Sequence, residues 1–184
     1  MKNEMNEKQV LWMKTALAAV LVMLAATLRI LPHPWNFTPI GAMALFSGSV
    51  FKERWFRFAF PLLALFAGDA VIGFHKLMLV VYLSFLASVA IGMWIGEKRK
   101  PLHIAGGTLL GATQFFLVTN FAVWAVFTTY PKSVSGLLAC YAAGIPFFWN
   151  TLAGDAVYAL LLFGGYALAE RFLAHESRPA SLAG

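Results

Sequence analysis

Apolar stretches long enough to cross a lipid bilayer take up most of this chain. A helix needs about 20 apolar residues to span the hydrocarbon core. The sequence offers six candidate spans, of which the second is too short to cross upright: residues 10–31, 38–51, 55–73, 77–95, 104–127 and 145–171. The sequence therefore predicts an all-α membrane protein with six transmembrane helices.

Composition excludes a soluble domain of ordinary type. Apolar residues make up 60% of the 184 residues and charged residues only 12%, whereas soluble domains carry about 25% charged residues. The lone cysteine, Cys140, rules out an internal disulfide and a cysteine-rich metal site. The net charge of +6 comes from short basic clusters between apolar runs, which indicates membrane orientation and not nucleic-acid binding.

The segment 135–143 is apolar but too short to span. We interpret it as a short interfacial or re-entrant helix before the last span. The alternative is a seventh crossing, which would place the two termini on opposite sides. The preferred arrangement has a cytoplasmic tail at 1–9, one six-span domain at 10–172 and a cytoplasmic tail at 173–184.

The basic residues predict the orientation, because cytoplasmic loops carry an excess of lysine and arginine. With both termini inside, the outer side carries three basic residues: Arg29, Lys76 and Lys132. The inner side carries eleven: Lys2, Lys8, Lys14, Lys52, Arg54, Arg57, Lys98, Arg99, Lys100, Arg171 and Arg178. We expect a multi-pass protein of a bacterial cytoplasmic membrane with both termini in the cytoplasm.

Both aspartates of the chain lie inside predicted spans, each in the pentapeptide Ala-Gly-Asp-Ala-Val at 67–71 and 153–157. A carboxylate in hydrocarbon is costly, so it should face a protein interior or an aqueous cavity and find a partner there. At 1.5 Å per residue, Asp69 lies about 6 Å below the outer end of its span and Asp155 about 15 Å into its own.

Other polar and aromatic groups fall in the outer half of the predicted bundle or in its outer loops. Such a set can line a small-molecule pocket with apolar walls and a few oriented donors and acceptors. We expect the substrate-binding residues to be Asp155, Asn150, Asn120, Trp124, Trp149, Tyr158, Asn36 and His33.

A second group is expected to form an ion pair that is structural or serves coupling: Arg29, Asp69 and His75. The plainer alternative for Asp69 and Arg29 is that they only pin the first and third spans together. Likewise, Asp155 with Asn150 and Tyr158 could form a structural network without a ligand.

No enzyme signature is present, and we expect no catalytic residue, no metal site and no cofactor. The chain lacks a nucleophile elbow, a His-Glu-x-x-His motif and a cysteine pair. It also lacks a Walker motif, so it cannot hydrolyse ATP by itself. His33 and His75 come from separate loops without the close spacing of a metal motif.

Several segments resemble a family of small bacterial inner-membrane transport proteins that has no assigned substrate. The resemblance covers about residues 16–171 and rests on segments 29–42, 67–69, 73–76, 119–125, 130–132 and 145–155. It implies a transport function but does not name a solute.

More distantly, the layout is similar to the substrate-binding S components of energy-coupling-factor vitamin transporters. The shared features are the first span, a proline-rich outer loop and a short second span that ends in Phe-Ser-Gly at 46–48. This resemblance implies an S-component-like bundle with an outward-facing pocket. It also implies docking on an energy-coupling transmembrane subunit that carries two ATPases.

The first span lacks the Ala-x-x-x-Ala docking pattern of many S components. Thr15 with Ala19 and Ala64 with Gly68 are partial substitutes. From another class of function, a structural or assembly membrane protein would use its buried polar groups only to hold helices together.

Overall fold

The computed structural model describes residues 7–28 and 34–176, and these residues form six helices and no strand. The helices are α1 (Glu7–Leu28), α2 (Ile40–Val50), α3 (Arg54–Ile72), α4 (Met78–Ile95), α5 (Pro101–Val126) and α6 (Val134–Glu176). The all-α prediction is therefore confirmed for the described part of the chain.

Five of these helices, all except α2, are long and apolar enough to cross a membrane. The chain is thus a multi-pass membrane protein. At 11 residues, α2 is about 16 Å long, well short of the roughly 30 Å of hydrocarbon.

The short helix α2 lies at the centre of the bundle and contacts all five other helices. It is apolar except for Ser47 and Ser49, and nine of its residues, including Ala42 and Phe46, are buried. A helix that is apolar all round lies either in lipid or inside a protein, and α2, which is too short to span, is enclosed by the other helices. The ring of Phe46 packs edge-on against Phe163 and Tyr166 of α6.

Two glycines let α2 cross α4 with the two backbones in contact. A Cβ on Gly48 would lie 2.1 Å from the carbonyl oxygen of Val89, and one on Gly92 would lie 2.2 Å from that of Leu45. Small residues allow membrane helices to approach this closely. The van der Waals contacts at the crossing stabilise the helix pair, because lipid supplies no hydrophobic driving force between helices.

Residues 135–143 do not form a separate helix. They are the first part of α6, which is continuous over 43 residues, so the prediction of a short interfacial helix before the last span is wrong. Tyr141 donates a hydrogen bond to the carbonyl of Leu117, and Cys140 contacts that of Asn120. Packing against α5 keeps this part helical, and Pro146 removes only one backbone hydrogen bond from the helix.

The connections between the helices fall at two ends of the bundle. One end, the basic face, holds connections 51–53 and 96–100, the start of α1 and the end of α6. There Glu170 pairs with Lys14 at 3.0 Å and with Arg99 at 3.1 Å. The other end, the opposite face, holds connections 34–39, 73–77 and 127–133.

Candidate functional site

A cavity of about 220 Å³ leads from the opposite face to the N-terminal end of α2. Its rim includes exposed residues of two connections, and its inner end includes buried residues of α4 and α6. The lining residues are Asn36, Thr38, Ile40, Gly41, His75, Val81, Phe85, Ser88, Gly111, Phe115, Thr151 and Asp155.

Asp155 caps α2 from a distance of more than 100 residues along the chain. Its Oδ1 accepts the backbone N–H of Ala42 at 3.0 Å, and the side chain is only 3% exposed. The first N–H groups of a helix have no partner within the helix, and Pro39, at the N-cap, supplies no side-chain hydrogen bond. The carboxylate satisfies the N–H of Ala42, is also held by that of Gly41, and lies at the positive end of the helix dipole.

Gly41 makes this contact possible. A Cβ at this position would lie 2.3 Å from Oδ2 of Asp155 and 2.6 Å from Cγ. Any larger residue would push the carboxylate away from the start of α2. Gly41 and Asp155 both line the cavity, so the same pair builds the helix cap and the inner wall.

Aromatic rings form the apolar wall across from this carboxylate. Phe85 of α4 and Phe115 of α5 are stacked with ring centroids 5.1 Å apart and planes 28° from parallel. Gln114 ties the same two helices together, because its Nε2 donates to the carbonyl of Ser84 at 2.9 Å and to Oγ of Ser88 at 3.1 Å. The wall is therefore held by both ring contacts and hydrogen bonds.

The other intramembrane aspartate lies at a different position in the bundle. Asp69 of α3 is 1% exposed and accepts the hydroxyl of Tyr82 of α4 at 2.9 Å. It does not line the cavity. The repeated pentapeptide thus places one carboxylate between α3 and α4 and the other at the start of α2.

Three of the residues predicted for the site or the ion pair lie around the cavity: Asp155, Asn36 and His75. Asn36 has a backbone φ of 61°, a left-handed conformation that asparagine tolerates well. His75 belongs to the connection between α3 and α4, so the sequence grouped it with Asp69 while the structure places it with Asp155. Arg29 and His33 lie outside the described residues.

The remaining predicted residues lie elsewhere. Asn150 donates to the carbonyl of Trp35 at 3.0 Å, and Tyr158 packs against the ring of Phe37. Asn120 donates to the carbonyl of Phe116 within its own helix, and the indole N–H of Trp124 donates to the carbonyl of Pro131. Trp149 is 60% exposed and does not line the cavity.

Sequence reasoning missed several lining residues, among them Thr38, Phe85, Ser88, Phe115 and Thr151. A signal for one of them was available, since Ser84 and Ser88 lie one turn apart in the otherwise apolar α4. Within residues 7–28 and 34–176, no three His, Cys, Asp or Glu side chains come together as metal ligands would.

The sequence pattern of DUF6580, a family of unknown function, matches residues 9–178. The chain belongs to the DUF6580 family. The match covers all six helices almost completely, so the cavity and the central α2 lie within the part of the chain that defines a DUF6580 protein. Comparisons with curated proteins and with solved structures found no match.

Proposed function

We propose that this DUF6580 protein is a transport protein that binds a small solute in the cavity beside α2. The observation that carries the proposal is a buried carboxylate at the inner end of a cavity whose rim is polar and exposed. Ligand sites in membrane proteins combine apolar walls with a few oriented polar groups, and an intramembrane acid that faces a cavity is a typical part of one.

The lining favours a compact solute that carries a hydrogen-bond donor. The Asp155 carboxylate accepts backbone hydrogen bonds from Ala42 and Gly41 at the start of α2, and an ionised carboxylate has about four acceptor sites, so it can accept a further donor. Asn36 and Thr151 offer further polar contacts, and the stacked rings of Phe85 and Phe115 suit a flat or apolar part of the solute. A volume of about 220 Å³ lies below the range of drug-sized pockets.

Helix α2 offers a way to couple binding to movement. Its N-terminus is held by Asp155, and the helix contacts every other helix of the bundle. A donor group of the solute that competes for the carboxylate would weaken the cap and shift α2. Intramembrane helix ends that contact the substrate are a common element of transporters.

The charge distribution and the resemblance to S components support the proposed orientation and partners. Among the described residues, nine basic residues lie toward the basic face and two at the opposite face, so the proposal places the basic face and both termini in the cytoplasm of a bacterial cell. The cavity then opens outward. Since the chain has no Walker motif, the proposed energy source is either a separate transmembrane subunit with ATPases or a gradient that acts on Asp69 or Asp155.

One observation favours a second function, that of a structural or assembly membrane protein. The hydrogen bond from Ala42 to Asp155 by itself gives the carboxylate a role in holding α2 in the bundle. In that case the cavity would be a packing defect without a ligand.

A substitution at Asp155 separates the two functions. Asparagine caps helices as well as aspartate does, so Asp155→Asn should keep the cap and lose the charge. The purified protein would be heated with a panel of small amines, amides and amino acids. A solute that raises the melting temperature of the wild type but not that of Asp155→Asn supports the proposal, because a bound ligand stabilises by mass action. A solute that stabilises both proteins equally contradicts it.

A further inference from the structure

A second cavity, of about 320 Å³, lies at the basic face, between the start of α1, the end of α2 and the end of α6. Basic side chains from three segments line it: Lys14 of α1, Lys52 of the α2–α3 connection and Arg99 of the α4–α5 connection. Two carboxylates, Glu97 and Glu170, also line it. Three cations against two anions leave a net charge of +1.

Glu170 forms ion pairs with two of these three cations. Its two oxygens pair with Lys14 at 3.0 Å and with Arg99 at 3.1 Å. The Arg99 guanidinium also lies 5.1 Å from the centre of the Tyr166 ring. One carboxylate that serves two cations leaves both with unused donors, and the held guanidinium presents a fixed fork of the kind that suits a phosphate.

An apolar groove of about 450 Å³ runs between α5 and α6 and starts at the same arginine. Below Arg99 it is lined almost entirely by apolar side chains, among them Ile104, Leu160 and Phe163. Gly164 contributes to its floor, and a Cβ there would meet nothing within 4 Å. The groove is therefore open along the side of the bundle.

Arg99 thus joins a cationic cavity at one end of the bundle to an apolar groove along its side. We propose that the two together bind one anionic phospholipid, with the headgroup phosphate at Arg99, Lys14 and Lys52 and an acyl chain between α5 and α6. Basic pockets between membrane helices at the membrane surface bind anionic headgroups. The site is separate from the cavity at α2 and does not depend on the proposed transport function.

The proposed headgroup site can be tested by measuring which lipid the protein retains. The protein would be placed in nanodiscs of equal parts dioleoyl phosphatidylglycerol and dioleoyl phosphatidylcholine, and the lipid retained on extraction would be measured by native mass spectrometry. We expect phosphatidylglycerol to be retained preferentially. Lys52→Gln and Arg99→Gln should each reduce this preference about five-fold, as the loss of one basic residue near an anionic surface implies.

Lys98→Gln is the matched control for the headgroup. It removes the same charge from the same connection, but Lys98 is exposed and does not line the cavity. The preference for phosphatidylglycerol should be unchanged in this variant. An equal loss in Lys98→Gln would mean that only the overall charge of the basic face matters, which would overturn the proposed site.

The proposed acyl-chain site in the apolar groove can be tested with a separate matched pair of variants. Gly164→Leu fills the groove, whereas Gly165→Leu adds the same side chain where a Cβ also meets nothing within 4 Å but outside the groove lining. We expect Gly164→Leu to reduce retention of phosphatidylglycerol and Gly165→Leu to leave it unchanged. Equal retention of the two lipids by the wild type overturns the proposal. So does displacement of the lipid by millimolar inorganic phosphate without an effect of Gly164→Leu, which would indicate a site for a free anion.

Discussion

At the scale of single residues, Asp155 does two things at once. It satisfies a backbone donor at the start of α2, and it lines the cavity that we propose as the solute site. A buried carboxylate in a membrane must be compensated, and here the positive end of a short helix provides part of that compensation. The same bond explains why α2 can begin in the interior of the bundle.

Removing the cap should cost stability. Asp155→Ala leaves the N–H of Ala42 without its partner, and loss of an N-cap costs about 1–2 kcal/mol. We expect Asp155→Ala to lower the melting temperature in detergent and Asp155→Asn to leave it close to the wild-type value. If the two variants melted together, well below the wild type, the charge and not the cap would be what stabilises α2.

Gly41 should be as sensitive as Asp155. Gly41→Ala places a methyl group 2.3 Å from Oδ2 of Asp155, so the carboxylate or α2 must shift. We expect a loss of about 1–3 kcal/mol, the usual cost of overpacking, measured by thermal melting. Gly106→Ala is the control, because a Cβ at Gly106 meets nothing within 4 Å and alanine favours helix. A neutral Gly41→Ala would contradict the cap geometry.

Sequence reasoning identified Asp155 but misplaced several of its neighbours. The cost of an intramembrane charge marks such a residue without any structure. Depth along a helix, however, does not give the direction in which a side chain points. Asn120 and Trp124 have a depth that suits the outer half of the bundle, yet their side chains bond to carbonyls of α5 and of the following connection. The partnership with Ala42 joins residues 113 apart, and no local pattern predicts it.

At the scale of helices, α2 is the central element of the bundle, because it contacts every other helix. Its length was apparent from the sequence, since residues 38–51 are too few to cross upright. Its central position was not, because a uniformly apolar helix looks the same whether it faces lipid or protein. The glycines at the crossing with α4 explain how such a short helix is held without a polar seam.

The close crossing of α2 and α4 can be tested by its effect on stability. Gly92→Ala would put a Cβ 2.2 Å from the carbonyl oxygen of Leu45, against backbone that cannot rotate away. We expect the two helices to separate and the melting temperature to fall by more than in Gly41→Ala, where a side chain can yield. Gly165→Ala, in open space on α6, serves as control. An unchanged melting temperature in Gly92→Ala would contradict the close crossing.

Helix α6 shows where sequence reasoning failed at this scale. The sequence predicts that residues 135–143 form a helix separate from the last span, because this segment is too short to cross, and Gly144, which disfavours helix locally, lies between the two segments. In the structure Gly144 instead allows contact with α5, where a Cβ would lie 2.5 Å from Oδ1 of Asn120. Tertiary packing outweighs the local preference, and such packing cannot be predicted from the residues of one helix.

At the scale of the whole molecule, the helices alternate in direction, and their connections lie at two faces, of which one is rich in basic residues. The described chain has five long apolar helices and one short one. The long apolar helices and the short second one were predicted from the sequence, because hydrophobic length is a local property that lipid constrains directly. The cavity, in contrast, depends on how four helices and two connections meet.

The orientation can be tested independently of any solute. Reporter fusions after Arg57 and Lys100 should report a cytoplasmic location, and fusions after Lys76 and Lys132 a periplasmic one, because the charge bias favours the basic face inside. Alkaline phosphatase and green fluorescent protein form a complementary reporter pair. The reverse pattern would place the opening of the cavity in the cytoplasm.

The most direct test of the central claim is whether a small hydrophilic molecule enters the cavity from outside. Thr151 lines the cavity and is half-buried, so Thr151→Cys in a Cys140→Ala background would be treated in intact cells with a membrane-impermeant, quaternary-ammonium methanethiosulfonate. Lys132→Cys and Lys98→Cys are controls at the opposite and basic faces. We expect the cysteines at 151 and 132 to react and the one at 98 to remain unmodified. A folded Thr151→Cys protein that stays unmodified while Lys132→Cys reacts would contradict it.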